Sequence, residues 1–485
     1  MSSAQVEASV QAYTAITPET LETEKWSSKR RDFLRMLGYG AGAAALGPLM
    51  TACGGANGQT IPEQLRAELV RDTAFWKNVD GMFVLNPAKL FMNIGTAGSM
   101  PQLTLDTFAA DNLAKAKDSL NGYGNFADLR KKLAPTFGVE YDELAISANT
   151  SSGMCHAILG IDWQRGDVVV TTNHEHGGGL TPLNIAVERY GIEVSMIPMP
   201  TGNNQTAATY TNLFDERVRQ LKSQGKRVRA MMWSSPTYKT GTLLPMAELM
   251  GVVKAHGLIS IVDAAHLPGM MQFDYGALGM DFMSAAGHKW QCGPGSTGFL
   301  VIRNRVRASN PLPLPKWYPV HTSSFNAAAL GNRSNAFYDV AASVTSCGSV
   351  HTPLFNALVK SCEVWDNIGR AKIQTYVTTL SAYLKEKIVE RWGIASLYSP
   401  KDDPKLTCAL TCFNPFRNPA DVMNSNKSRE FITRMASDYT PSFVIRNVNF
   451  AVIGAPADHY GVRISTHLWT NADEIDALVD AMWTL

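Results

Sequence analysis

The chain has 485 residues, 45% hydrophobic and 18% charged, with a formal net charge of +2. That length is enough for a full-sized core and two domains, and the near-balanced charge removes the case for a nucleic-acid partner. There is no internal repeat or low-complexity block, and after residue 53 no apolar run long enough to span a membrane.

The first 53 residues read differently from the rest. A polar stretch leads to Lys29-Arg30-Arg31-Asp32-Phe33-Leu34-Arg35, small and apolar residues fill 36–50, and Thr51-Ala52-Cys53 closes the segment. A basic region, a short apolar region and a small-residue end make a signal peptide, and the apolar part is too short for a spanning helix. Arg30-Arg31-x-Phe33-Leu34 resembles a twin-arginine signal, with Lys29 where that pattern prefers Ser or Thr. The resemblance implies the twin-arginine translocase as a partner and the periplasm or cell envelope as the destination. Leu49-Met50-Thr51-Ala52-Cys53 is close to a bacterial lipobox apart from Met50, so a lipid anchor on Cys53 and simple cleavage nearby both stay open. Six cysteines follow Cys53, none in a CxxC and none with His at zinc spacing, and most are expected as buried free thiols.

From about residue 140 the chain alternates β-branched runs with amphipathic segments. The runs cover 144–147, 168–172, 193–197, 228–234, 258–263, 281–285 and 298–302, with helical stretches at 180–190, 213–224 and 246–256 among them. Such alternation predicts an α/β fold with a seven-stranded, mostly parallel sheet covered on both faces. The Pro-rich stretch 310–319 reads as a surface excursion. Beyond it, Ile373, Tyr376, Val377, Leu380, Tyr383, Leu384 and Ile388 fall at helical spacing. Apolar runs at 406–413 and 443–448, a helix near 428–439 and a last helix from Asn471 complete a smaller α/β domain.

In an open parallel sheet, ligands sit beyond the carboxyl ends of the strands. The fifth run ends in Asp263-Ala264-Ala265-His266 and the sixth leads into Gly287-His288-Lys289-Trp290, so one rim carries an acid and a lysine 26 residues apart. A lone strand-end Asp is ordinarily a cap and a lone Lys a solvated charge. Together they suit pyridoxal 5′-phosphate (PLP), which needs an amine to attach to and a carboxylate at its pyridine nitrogen. Asn149-Thr150-Ser151-Ser152-Gly153, opening a helix, offers hydroxyls and free N–H groups to a phosphate, or only a helix cap. In His174-Glu175-His176 an imidazole can stack on the ring; two histidines two apart without a third ligand make a poor zinc site.

Asp263-x-x-His266 followed by GHKWQCGPGSTGF (287–299) resembles the class V aminotransferase group of fold-type I PLP enzymes, especially members similar to isopenicillin N epimerase. The likeness runs from Asn93-Ile94-Gly95-Thr96 to Gly461-Val462-Arg463-Ile464-Ser465. Behind the signal already read over 1–53, it implies an arm over 54–95, a large PLP-binding domain over 96–345 and a small domain over 346–485. It also implies that Lys289 carries the cofactor and moves the Cα proton. Asp263 would pair with the pyridine nitrogen, and His266 would lie near the ring's phenolic oxygen. Thr150, Ser151 and His288 would hold the phosphate and His176 would stack on the ring. Gly348-Ser349 would serve the phosphate of a neighbouring subunit in a homodimer, and Arg463 would clamp a substrate carboxylate. Two departures stand out. Ala286 replaces a phosphate-binding Ser or Asn, and no Cys lies between Phe413 and Arg463, where desulfurases of this group carry the sulfur-accepting thiol. The expected activity is transamination or epimerisation of an amino acid unit; a C–S or C–N lyase and a non-catalytic binding protein are the alternatives.

Overall fold

The computed structural model describes residues 60–118, 126–303, 317–323 and 339–485. The signal-like segment with Arg30, Arg31 and Cys53 lies outside the described residues. The described residues form one compact unit.

After two short N-terminal helices the chain enters β1 (Lys89–Phe91). The central sheet then takes β2 (Leu144–Ser147), β3 (Asp167–Thr172), β4 (Glu193–Ile197), β5 (Arg227–Ser234), β6 (Ile259–Asp263), β7 (Phe282–Ala286) and β8 (Gly298–Ile302). Their spatial order is β2-β8-β7-β6-β5-β3-β4, and β8 alone is antiparallel to its neighbours. All residues of β2, β3, β6, β7 and β8 are buried, which explains why these strands read as unbroken apolar runs rather than alternating ones. The seven predicted runs are the seven strands of this sheet, and the fold is that of the fold-type I PLP enzymes, as the family resemblance implied.

Helices α1 (Thr150–Leu159), α2 (Gly177–Tyr190), α3 (Ala207–Ser223) and α4 (Met246–His256) cross between these strands. Sequence fixes their ends and their faces. Thr206 caps α3 reciprocally with Thr209, and Tyr210, Phe214 and Val218 turn one face to the core at four-residue spacing. The α4 helix stops at Gly257, whose φ of 65° is the left-handed conformation that suits glycine. Gly153, in the second turn of α1, packs so tightly on the sheet that a Cβ would stand 2.1 Å from the Ser284 hydroxyl.

The C-terminal part contains α5 (Thr352–Ile368), α6 (Arg370–Trp392) and α7 (Ser425–Ser437), then ends in α8 (Ala472–Thr484). All seven apolar positions predicted on α6 are buried. Strands β9 (Leu410–Phe413), β11 (Arg446–Phe450) and β12 (His459–Ser465) form an antiparallel sheet in the order β11-β12-β9, while β10 (Ser442–Val444) pairs in parallel with β1. Cys292, Cys362, Cys408 and Cys412 are buried free thiols, as expected. One expectation fails in part. Of the predicted surface excursion, Trp317 is 2% exposed, and its indole N–H donates to the His156 carbonyl at 2.8 Å. Burial of so large a ring outweighs the local Pro-rich character of the segment.

Candidate active site

Because β2, β3, β5, β6 and β7 all run the same way, their carboxyl ends meet at one rim. In the sheet register Asp263 lies between Ser234 of β5 and Ser284 of β7. Strand pairing therefore brings the acid to the loop that carries Lys289.

The N-termini of α1 and α2 lie side by side at this rim: a Cβ on Gly178 would stand 2.5 Å from the Ser151 hydroxyl. Asn149 caps α1 by accepting from Ser152 N at 2.9 Å. The Thr150 hydroxyl is buried and has no hydrogen-bond partner among the described residues. Two adjacent helix N-termini with an unpartnered buried hydroxyl suit a phosphate dianion. His176 caps α2, its Nδ1 accepting from Gly178 N at 3.0 Å, so the neutral ring carries its proton on Nε2. Its ring stands edge-on to Tyr238, with centroids 5.0 Å apart. His288 donates from Nδ1 to the Thr297 carbonyl at 3.3 Å.

Asp263 is 4% exposed, and its Oδ1 accepts from Ala265 N at 3.0 Å. Burial raises its pKa, against the opposing pull of Lys289, the Ala265 N–H and His176. His266 is equally buried, and its Nδ1 accepts from the Trp290 indole at 3.1 Å, which fixes the proton on Nε2. Burial and the charges of Lys289 and Arg463 hold this imidazole well below its usual pKa, hence neutral. Burial also pushes the Lys289 amine down to about 8; Asp263 opposes that shift while Arg463 and Arg446 add to it.

Arg463, on β12, is 1% exposed. Its Nη1 donates to the Tyr238 carbonyl at 2.9 Å and its Nη2 to Asn93 Oδ1 at 3.4 Å, while its Nε is buried without a partner among the described residues. Burial and the nearby Arg446 depress its pKa to about 9. A guanidinium left this poorly satisfied is an open seat for an anion. The segment 93–98 threads between Arg463 and the lysine loop. Gly98 N donates to the His288 carbonyl at 2.8 Å, and a Cβ there would stand 2.2 Å from the Lys289 carbonyl. Backbone this close leaves room only for glycine.

Lys289, Asp263, His266, His176 and Arg463 thus lie within electrostatic reach of one another, with Thr150, Ser151 and His288 on the adjoining turns. Ser349 is exposed in the turn before α5, where Gly348 has a φ of 63°, and among the described residues no hydrogen bond ties it to the others. Several site residues were not singled out from the sequence. Glu175 is buried, accepts from the Thr172 and Ser234 hydroxyls and is pushed up to about 7 by burial. Its place directly before His176 was a usable signal. Tyr238, Gly98 and Arg446 carried none.

The donor set fits PLP. Thr150 and the two helix ends would hold its phosphate, Asp263 its pyridine nitrogen, His266 its phenolic oxygen, and Lys289 its aldehyde carbon. Fold and site together define a PLP-dependent enzyme of fold type I. The family model "Aminotransferase class-V" matches residues 116–478. The chain belongs to the class-V aminotransferase family. It is 23% identical over 425 residues to isopenicillin N epimerase of Streptomyces clavuligerus, covering 84% of this chain and 98% of that protein. A probable cysteine desulfurase of Pyrococcus abyssi is 30% identical over 179 residues, 36% of this chain and 42% of the relative. Among solved structures, a cystine C–S lyase in complex with cysteine persulfide superposes with a TM-score of 0.64 at 20% identity, covering 82% of this chain and 97% of the other. An apo cysteine desulfurase from Thermococcus onnurineus gives 0.64 at 18% identity, covering 86% and 99%.

The lowered pKa of Lys289 is testable. Only the unprotonated amine attacks an aldehyde, and the folded-state pKa lies below the 10.5 of an ordinary lysine. The rate at which cofactor-free protein takes up PLP should therefore rise with pH and level off above about 8. Stopped-flow absorbance showing a tenfold rise per pH unit up to pH 10 would contradict this placement.

Proposed function

We propose that this chain is an exported enzyme that acts at the amino group or Cα of an amino acid, free or embedded in a larger metabolite, by transamination or epimerisation. The observation that carries the reading is Arg463: a buried arginine with an unpartnered Nε, close enough to Lys289 to depress its pKa. An anion on Arg463 sets a substrate carboxylate beside the amine, and an amine with a neighbouring carboxylate is an α-amino acid.

When bound, PLP supplies the electron sink that makes a Cα proton removable. The protein's residues do the rest. Arg463 orients the substrate through its carboxylate and so aligns Cα with Lys289. The Lys289 amine, held near a pKa of 8, is suited to take the Cα proton at neutral pH and to return it. Asp263, buried beside it, is positioned to hold a proton on the pyridine nitrogen, and neutral His266 keeps an Nε2–H for the phenolic oxygen. His176 closes one side of the cleft.

Product analysis with a panel of L-amino acids, with and without an oxo-acid acceptor, tests this reading. Acceptor-dependent oxo-acid formation indicates transamination, and loss of optical rotation without an acceptor indicates epimerisation. Release of sulfide or ammonia would instead mark a lyase and overturn the proposal. Arg463→Lys should raise KM at least ~100-fold, because a point charge cannot replace the bidentate fork. An unchanged KM would remove Arg463 from the substrate site.

Export rests on Arg30-Arg31 and the apolar stretch after them. Because the cofactor seat forms only in a folded sheet, we propose delivery of the folded, loaded protein through the twin-arginine route, as a homodimer to which each subunit brings Ser349. Arg30→Lys/Arg31→Lys should trap active yellow precursor in the cytoplasm. Normal export of that variant, or light scattering of the exported protein at the mass of one chain, would contradict the respective half.

A further inference from the structure

On the β11–β12 hairpin Arg446 lies directly opposite Arg463. Directly opposed residues of an antiparallel pair project from the same face, and like charges placed there repel. The two guanidiniums are not equivalent: Arg463 is 1% exposed, whereas Arg446 is exposed at the outer end of the same site. Both reach the chemistry. Arg446 and Arg463 each favour proton loss at Lys289, His176, His266 and Tyr238.

Neither charge is neutralised within the described chain. Arg446 meets Thr96 Oγ1 and the Asn447 carbonyl, each at 3.4 Å, and Arg463 meets the Tyr238 carbonyl and Asn93 Oδ1. All four acceptors are uncharged. Asp458, on the loop that joins the two strands, accepts instead from Asn449 at 2.8 Å. Exposed arginines elsewhere divide: Arg391 pairs with Asp480 and Arg434 with Asp438, whereas Arg417 and Arg429 donate only to the Trp483 carbonyl and Asn426 Oδ1, so what sets Arg446 apart is the second arginine directly opposite it. An unpaired arginine opposite a second unpaired arginine costs stability, and that cost is offset only when anions arrive.

We propose that the substrate carries two anionic groups, an α-carboxylate taken by Arg463 and a second carboxylate or similar anion taken by Arg446 at the mouth. A single carboxylate would satisfy the deep arginine and leave the outer one facing solvent. This rests on the amino-acid reading given above and narrows it to acidic amino acids, or to larger molecules with an acid group beyond Cα. Arg446 is then a specificity-determining residue and not a catalytic one.

Unreactive ligands isolate the point from catalysis. Succinate and glutarate, each matched in length with butyrate and pentanoate, are titrated into the PLP-loaded protein and followed by the visible band. The dicarboxylates should bind at least ~10-fold tighter than their partners, the effect of one added charge-assisted contact. Arg446→Gln should reduce that preference to about one, Arg446→Lys should retain part of it, and Arg463→Gln should weaken both ligand classes. Equal binding of matched mono- and dicarboxylates to the wild type, still lost in Arg463→Gln, overturns this inference and leaves the amino-acid reading standing. Two arginines clamping one carboxylate, or Arg446 serving a partner subunit, would give that same equal binding. No carboxylate binding at all would bring down both.

Discussion

The structure depends on placing a carboxylate and an amine of opposite charge where water is largely excluded. Asp263 and Lys289 achieve this through sheet pairing, because the residue pair Asp263 and Ser284 sets the acid beside the strand that runs into the lysine loop. Burial alone would neutralise each group, raising the acid's pKa and lowering the amine's, and each charge counters that effect on the other. Lys385 is a buried lysine of the other kind. It is also buried and also pushed down to about 8, but its amine donates to the Pro400 carbonyl at 2.9 Å, and among the described residues no carboxylate pairs with it. Lys289 has a buried acid for a partner, whereas Lys385 is held by backbone.

Everything else around the rim comes from holding that pair open to a cofactor. Gly98 lets the 93–98 segment lie against the lysine loop, and the same segment reaches Arg463 through Asn93. The two strands of the C-terminal hairpin set Arg446 and Arg463 against each other, a repulsive arrangement that a bound anion would relieve. Glu175 adds a second buried acid behind Asp263, held by two hydroxyls. The site is thus rich in groups left unsatisfied by the folded chain itself, and that is a stability cost carried for binding.

Much of this was legible in the sequence because strand ends and parallel-sheet geometry are local signals. Runs of β-branched residues located the strands, and the residues at their carboxyl ends located Asp263 and Lys289. Helix N-termini are similarly local, so the turn holding Thr150 could be read as a phosphate seat, whereas Asn149 on α1 and His176 on α2 were not singled out as the caps. What remained hidden depends on register between segments far apart in the chain. Arg446 is an ordinary basic residue until its pairing with Arg463 is known, and Tyr238 is an ordinary turn residue until it meets His176. Trp317 was misplaced for the same reason: its partner carbonyl belongs to His156, 161 positions earlier.

Every role proposed at the rim requires Lys289 to be the residue that holds the cofactor, and one measurement addresses that directly. The PLP-loaded protein is reduced with borohydride, digested, and its peptides are weighed. The structure predicts loss of the visible band and the reduced cofactor fixed on the peptide containing Lys289, with no label in Lys289→Ala. Label on the peptide of Lys385 or Lys239, or a protein that takes up no cofactor, would contradict it.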